Sequence, residues 1–136
     1  MITYIKMKSK NLKMKRNKNM KIRLFEDFNQ NDENGEFISS LDECITETQT
    51  CLDELSEESE NMDMLRSCED VINISKLVKE LIENDSSLLK AQCQILISSL
   101  KMCINECKKI DGDFDSIPSC IESCKRSKID CEKIIN

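Results

Sequence analysis

Along residues 37–136 apolar side chains return every three or four positions, with charged and hydroxyl residues between them. That is the period of an α-helix with one buried face, and no stretch shows the strict alternation of a strand. Four such stretches are predicted. The first contains Ser40-Leu41-Asp42-Glu43, which has the S-x-x-E form of a capping box, and it runs from Phe37 or Ser40 to about Glu57. The polar string SEESEN (56–61) ends it. The second runs from Met62 to Glu83. The string NDSS (84–87) follows, with Asp85 or Ser86 as the next N-cap. The third runs from Ser87 to Ile110. DGDFDS (111–116) is a loop, and Pro118 lies in the first turn of the fourth helix, where its missing N–H does no harm. Short connections between four helices predict an all-α, antiparallel up-down-up-down four-helix bundle. The boundary between the second and third helices carries no Gly or Pro and is the least marked.

Composition supports the helical reading. Aromatics make up 4% of the 136 residues, and there are two glycines and one proline, too few to punctuate a sheet protein. Residues 1–36 read separately, as a basic, disordered arm followed by the polar linker EDFNQNDENGE (26–36), and the bundle is assigned to 37–136. The first 25 residues hold nine bases and no acid, while the remaining 111 hold 11 bases against 26 acids. A body so acidic repels nucleic acid, so none is expected as a partner. No run approaches the ~18 apolar residues of a membrane span. The arm also lacks the apolar segment of a secretory signal, so a cytoplasmic protein is expected.

Cysteine changes the picture most. All nine cysteines fall between residues 44 and 131, and histidine is absent. An odd count prevents complete internal disulfide pairing. Without histidine there is no Ser-His or Cys-His catalysis, no E-x-x-H di-iron site and no His-bearing zinc site. No C-x-x-C redox motif occurs, and carboxylate pairs such as Asp53/Glu57 and Asp111/Asp113 sit in acidic, solvated runs. A non-enzymatic protein is therefore expected. At helical pitch, Cys120, Cys124 and Cys131 fall within an arc of about 40°, and Cys93, Cys103 and Cys107 within about 80°. Cys44 and Cys51 lie one heptad apart. These faces also carry Leu41, Leu55, Leu96, Leu100 and Ile117, so the thiols are expected to line the core. One or two could be simple core hydrophobes. Nine, several at i,i+4 spacing, ask for a different reason.

Folding the third and fourth helices antiparallel sets Cys107 opposite Cys120 and Cys103 opposite Cys124. Cys51, Cys68, Met62 and Met64 are expected at that same end, with Cys93 and Cys131 towards the other. Soft thiolate and thioether ligands in a dry core suit Cu(I). Zn(II) is the rival metal, and Cys103, Cys107, Cys120 and Cys124 would supply its four ligands. A metal-free bundle is the remaining reading.

The spacing resembles that of the copper storage proteins, cysteine-rich four-helix bundles that bind copper. Their third helix repeats C-x2-C-x3-C-x2-C-x3-C, and those slots fall here on Cys93, Leu96, Leu100, Cys103 and Cys107. CINEC (103–107) is similar to the family's CAAEC, and Ser86 matches a serine seven residues before the first slot. In the fourth helix the slots fall on Ile117, Cys120, Cys124, Ser127 and Cys131. MLRSCEDV (64–71) resembles the family's CIELCRDC, with Met64 and Val71 in cysteine slots. TCLDE (50–54) resembles ACL-E and brings Cys44 and Cys51 into register. The resemblance implies Cu(I) binding, storage and buffering by Cys44, Cys51, Cys68, Cys93, Cys103, Cys107, Cys120, Cys124 and Cys131, in a member that has lost some cysteines. Met62 and Met64 are candidate relay ligands. A copper donor or acceptor protein and a homo-oligomer are the partners to consider.

The pairs Cys103-x3-Cys107 and Cys120-x3-Cys124 also resemble the twin C-x3-C hairpin of small mitochondrial intermembrane-space chaperones. That likeness implies bridges from Cys103 to Cys124 and from Cys107 to Cys120, and a disulfide-stapled interaction protein.

Overall fold

A computed structural model of the chain describes residues 24–56 and 61–136, with side-chain surroundings from residue 34 onward. The basic arm expected over the first residues lies outside this range up to residue 23. Four helices make up the described residues: α1 (Leu24–Leu55), α2 (Met62–Glu83), α3 (Leu89–Lys108) and α4 (Ser116–Ile135). No strand occurs among them. The compact unit that carries the core spans Glu36–Asn136.

Cross-helix pairs fix the topology. Ser127 Oγ donates to Ser40 O over 3.0 Å, Arg126 pairs with Glu43 at 2.8 Å, and the Ser116 hydroxyl donates to Glu54. Positions climb along α1 as they fall along α4, so these two helices are antiparallel. Lys79 to Asp42 (2.5 Å) and the proximity of Cys51 to Cys68 give the same relation for α1 and α2. Cys103 near Cys124 and Cys107 near Cys120 give it for α3 and α4. The result is the up-down-up-down four-helix bundle. Its surface ion pairs are half-exposed and contribute under ~1 kcal/mol each.

The buried faces follow helical spacing. On α3 they are Cys93, Leu96, Ile97, Leu100, Cys103, Ile104 and Cys107, together with Ser99. On α2, Met64, Cys68, Val71, Ser75, Val78 and Ile82 lie inward. Helix α4 differs in kind, because its fully buried positions are serines and cysteines alone: Ser116, Cys120, Ser123, Cys124, Ser127 and Cys131. Its aliphatic residues Ile117, Ile121, Ile134 and Ile135 pack only partly buried around the core.

Two boundaries correct the sequence reading. The stretch expected as linker is helical, since α1 begins at Leu24. Ser40 is therefore no N-cap. Its hydroxyl bonds back to Phe37 O at 3.0 Å inside the helix. A capping box needs non-helical backbone at its serine, and here the helix runs on through the weak helix formers Asn34 and Gly35, the glycine costing about 1 kcal/mol. The second correction is the turn between α2 and α3. Asp85 takes φ 53°, Asp85 N donates to Ile82 O (3.1 Å) and Ser86 N to Leu81 O (3.0 Å). This is the Schellman pattern, with Asp85 in the left-handed position that glycine usually fills. Neither residue expected to cap α3 does so: its N-cap is Leu88, without a side-chain cap bond, and Ser86 Oγ accepts from Leu88 N at 3.1 Å inside the turn.

Helix α4 starts without a cap from its own chain neighbourhood. Glu54 of α1 takes that role by accepting from Ser116 N at 3.4 Å and from the Ser116 hydroxyl. A carboxylate at a helix N-terminus also meets the positive end of the dipole. In the preceding loop Gly112 has φ 121°, and a Cβ there would stand 2.8 Å from Phe114 Cε2. Gly112→Ala is expected to lower stability by more than about 1 kcal/mol, because left-handed strain and the Phe114 clash add. Asp85→Gly is expected to raise it by roughly 0.5–1 kcal/mol. Urea unfolding of the two variants against the parent checks both signs, and a destabilised Asp85→Gly would contradict the turn assignment.

Candidate metal centre

All nine cysteines are free and buried, none more than 1% exposed. Each helix contributes. α1 brings Cys44 and Cys51, α2 brings Cys68, α3 brings Cys93, Cys103 and Cys107, and α4 brings Cys120, Cys124 and Cys131. The i,i+4 pairs of α3 and α4 sit one turn apart on inward faces, which brings the two pairs together across the antiparallel hairpin.

The Sγ atoms of Cys51, Cys68, Cys107 and Cys120 lie within 4.8 Å of one another, and so do those of Cys103, Cys120 and Cys124. Cys120 belongs to both groups. Further contacts extend the run. Cys68 Sγ is 3.9 Å from Cys103 Sγ, and Cys44 Sγ is 3.8 Å from Cys124 Sγ. Cys93 and Cys131 neighbour each other nearer the opposite end of α3. Sulfur therefore lines the core from the hairpin loop to the last turns of α4. The four thiols expected to suit zinc, Cys103, Cys107, Cys120 and Cys124, do not form the four-membered group. The registers of α1 and α2 insert Cys51 and Cys68 beside Cys107 and Cys120 instead.

The two methionines differ. Met64 is 1% exposed and its Sδ accepts from Cys68 Sγ at 3.3 Å, while Met62 is 48% exposed at the start of α2. Thr48 was not apparent as a site residue from the sequence. Its buried Oγ1 lies 3.8 Å from Cys44 Sγ and 3.6 Å from Cys120 Sγ. The available signal was spacing, since Thr48 falls four residues after Cys44 and three before Cys51, on the cysteine face. Ser123 and Ser127 spend their hydroxyls on the Cys120 and Ser40 carbonyls. Most family slots that lack cysteine are also interior: Leu96, Leu100, Val71, Met64 and Ser127 are buried, while Ile117 is only partly so.

Packed thiols share protons unequally. Cys107 is lowered to about 5, first by the hydrogen bond from Cys103, and Cys120 is lowered with the same thiol as the largest cause. Cys103 and Cys51 are raised, each first through its bond to Cys107, and Cys131 is raised through Cys93. An unfolded thiol ionises near 9.0. Above pH 9 the unfolded chain loses protons that Cys51, Cys103 and Cys131 keep when folded, so stability falls as pH rises. The depressed Cys107 acts only below that point, where its contribution is lost as pH falls from 9 towards 5. The reduced, metal-free protein is thus expected to melt at steadily lower temperature above pH 9. Anaerobic thermal melts between pH 8 and roughly pH 10 test this, and a flat profile would contradict it.

No helix among the described residues is long and apolar enough to cross a membrane. A family model described as copper storage protein matches residues 30–136. Among solved structures, the chain is similar to the Cu(I)-bound copper storage protein BsCsp3, with 20% identity and a TM-score of 0.69, covering 76% of this chain and 99% of that one. No curated protein sequence matches the chain significantly.

Proposed function

The chain belongs to the copper storage protein family, and we propose that it holds copper as Cu(I) on the thiolates of its nine core cysteines, as a cytoplasmic store and buffer rather than a catalyst. The observation that carries this reading is the cluster of buried sulfur towards the hairpin end, with Cys120 common to two groups. Cu(I) is soft and is satisfied by few thiolates, so a run of shared sulfurs can load ion after ion. Zn(II) wants three or four ligands for every ion, and nine thiols with shared members cannot serve many such sites. The core offers no imidazole. Coordination removes the thiol proton outright, so burial, which otherwise disfavours thiolates, does not prevent loading.

The path inward follows from the sulfur gradient. Met64, buried against Cys68, is the thioether that would pass Cu(I) inward without deprotonation, with exposed Met62 two residues before it as the candidate first contact. A copper donor or acceptor protein would exchange ions at that end. The slots filled by Leu96, Leu100 and Val71 lower the capacity of this core.

The deciding experiment is anaerobic titration of the reduced protein with Cu(I) against a competing Cu(I) chelator, with a free-thiol count on untreated sample. Several tightly held equivalents and nine free thiols are expected. No uptake with about five free thiols would replace the store with the two-bridge hairpin. No uptake with nine would leave a bundle without cargo.

A further inference from the structure

We propose that Cys51, Cys68, Cys107 and Cys120 also form a tetrathiolate Zn(II) site that ties all four helices together at the hairpin end when copper is absent. The four sulfurs lie within 4.8 Å of one another, and each comes from a different helix. A tetrahedral zinc site with Zn–S bonds of about 2.3 Å has sulfur–sulfur edges of about 3.8 Å. Shifts of an ångström or less bring these four to that spacing. Tetrahedral S4 geometry is the arrangement zinc selects, and closed four-ligand sites without solvent are its structural form. All four thiols are at most 1% exposed, so no position remains open for water.

The arrangement differs from the i,i+4 pairs of α3 and α4, in which both sulfurs come from one helix. Here no two ligands share a helix, so a single tetrahedral ion bonds to α1, α2, α3 and α4 at once. Binding forms four Zn–S bonds and releases the protons still held by the four thiols, leaving a centre of net charge −2. Thr48 Oγ1, 3.6 Å from Cys120 Sγ, is the hydroxyl positioned to donate to that charge. Cys120 also belongs to the group with Cys103 and Cys124. Zinc and Cu(I) therefore compete for this sulfur, and zinc leaves as Cu(I), the softer ion, fills the core. The zinc site rests on the four sulfurs alone and stands whether or not the core stores copper.

The test uses the full-length, reduced, metal-free chain under anaerobic conditions. Titration with Co2+ is expected to saturate at one equivalent, with the intense visible bands of a tetrahedral tetrathiolate, and one equivalent of Zn2+ then bleaches them. Cys51→Ser and Cys107→Ser should each weaken Zn2+ binding by roughly 100-fold or more, while Cys93→Ser leaves it within about twofold. X-ray absorption on the zinc-loaded parent protein should count four sulfur neighbours, which keeps the test decisive even if a serine variant fails to fold. No uptake, fewer than four sulfur neighbours, or an equal loss in Cys93→Ser would overturn the site. Cu(I) titration of the same sample reads the storage function separately.

Discussion

Copper loading is expected to raise the unfolding temperature of this bundle by tens of degrees. The reason lies in how little ordinary apolar surface the core has. Of the 21 buried hydrophobic residues nine are cysteines, and the only buried aromatic among them is Phe37. A fully buried Leu, Ile or Val contributes about 1.5–3 kcal/mol by leaving water, and a thiol in its place contributes less. The inward face of α4 has serine and cysteine alone, so that helix is held largely by thiols and by half-buried isoleucines. Ser75 Oγ and Ser99 Oγ are buried without a hydrogen-bond partner, and each such group costs about 1–3 kcal/mol. The metal-free fold is therefore marginal.

Cu(I) is expected to bind the folded core far better than the unfolded chain, because only the fold brings sulfurs from separate helices together. A single site at a thousandfold its Kd adds about 4 kcal/mol, and each kcal/mol moves the midpoint of a domain this size by about 4–8 °C. Several sites compound the shift. Calorimetry of the reduced protein with and without saturating Cu(I) measures it, and a change of only a few degrees would mean that copper, if bound, does not bridge helices.

Much of this arrangement was legible because helical pitch converts cysteine spacing into direction. Cys103 and Cys107, with Cys120 and Cys124 across one loop, have to meet if α3 and α4 pack antiparallel, and they do. The positions of Leu96, Leu100 and Ser127 inside the core were legible for the same reason. The start of α1 was not. Residues 26–36 look like linker because they are polar and hold Asn, Asp and Gly, yet each of these costs a helix about 1 kcal/mol or less, and a helix already formed propagates through them. The turn at Asp85 was hidden because an aspartate stands where the left-handed backbone would usually announce itself with glycine. Which thiols form the four-membered group depends on the axial registers of α1 and α2 against the hairpin. No local signal encodes that register. Thr48 was missed because a hydroxyl on a core stripe reads as tolerated polarity until its sulfur neighbours are known.

The other large effect concerns where in the bundle the copper resides. Replacing Cys103 and Cys107 together by serine is expected to remove the larger part of the bound Cu(I), while Cys93→Ser removes a small part. Cys107 is one of four sulfurs in the group with Cys51, Cys68 and Cys120, and Cys103 is one of three in the group with Cys120 and Cys124. Cys103 also lies 3.9 Å from Cys68. The double change takes a member from both groups and cuts the contact between them. Cys93 belongs to neither group and is paired with Cys131 instead, so its loss leaves both groups intact. Serine keeps the volume close and supplies a hydroxyl, a hard donor that Cu(I) does not favour, so the loss reports ligation more than packing. Copper counts after gel filtration against a competing chelator, with helix content followed by circular dichroism, separate the two. Equal losses from the double and single variants would mean that the sulfurs load as one undifferentiated column, and the concentration of the store at the hairpin end would have to be abandoned.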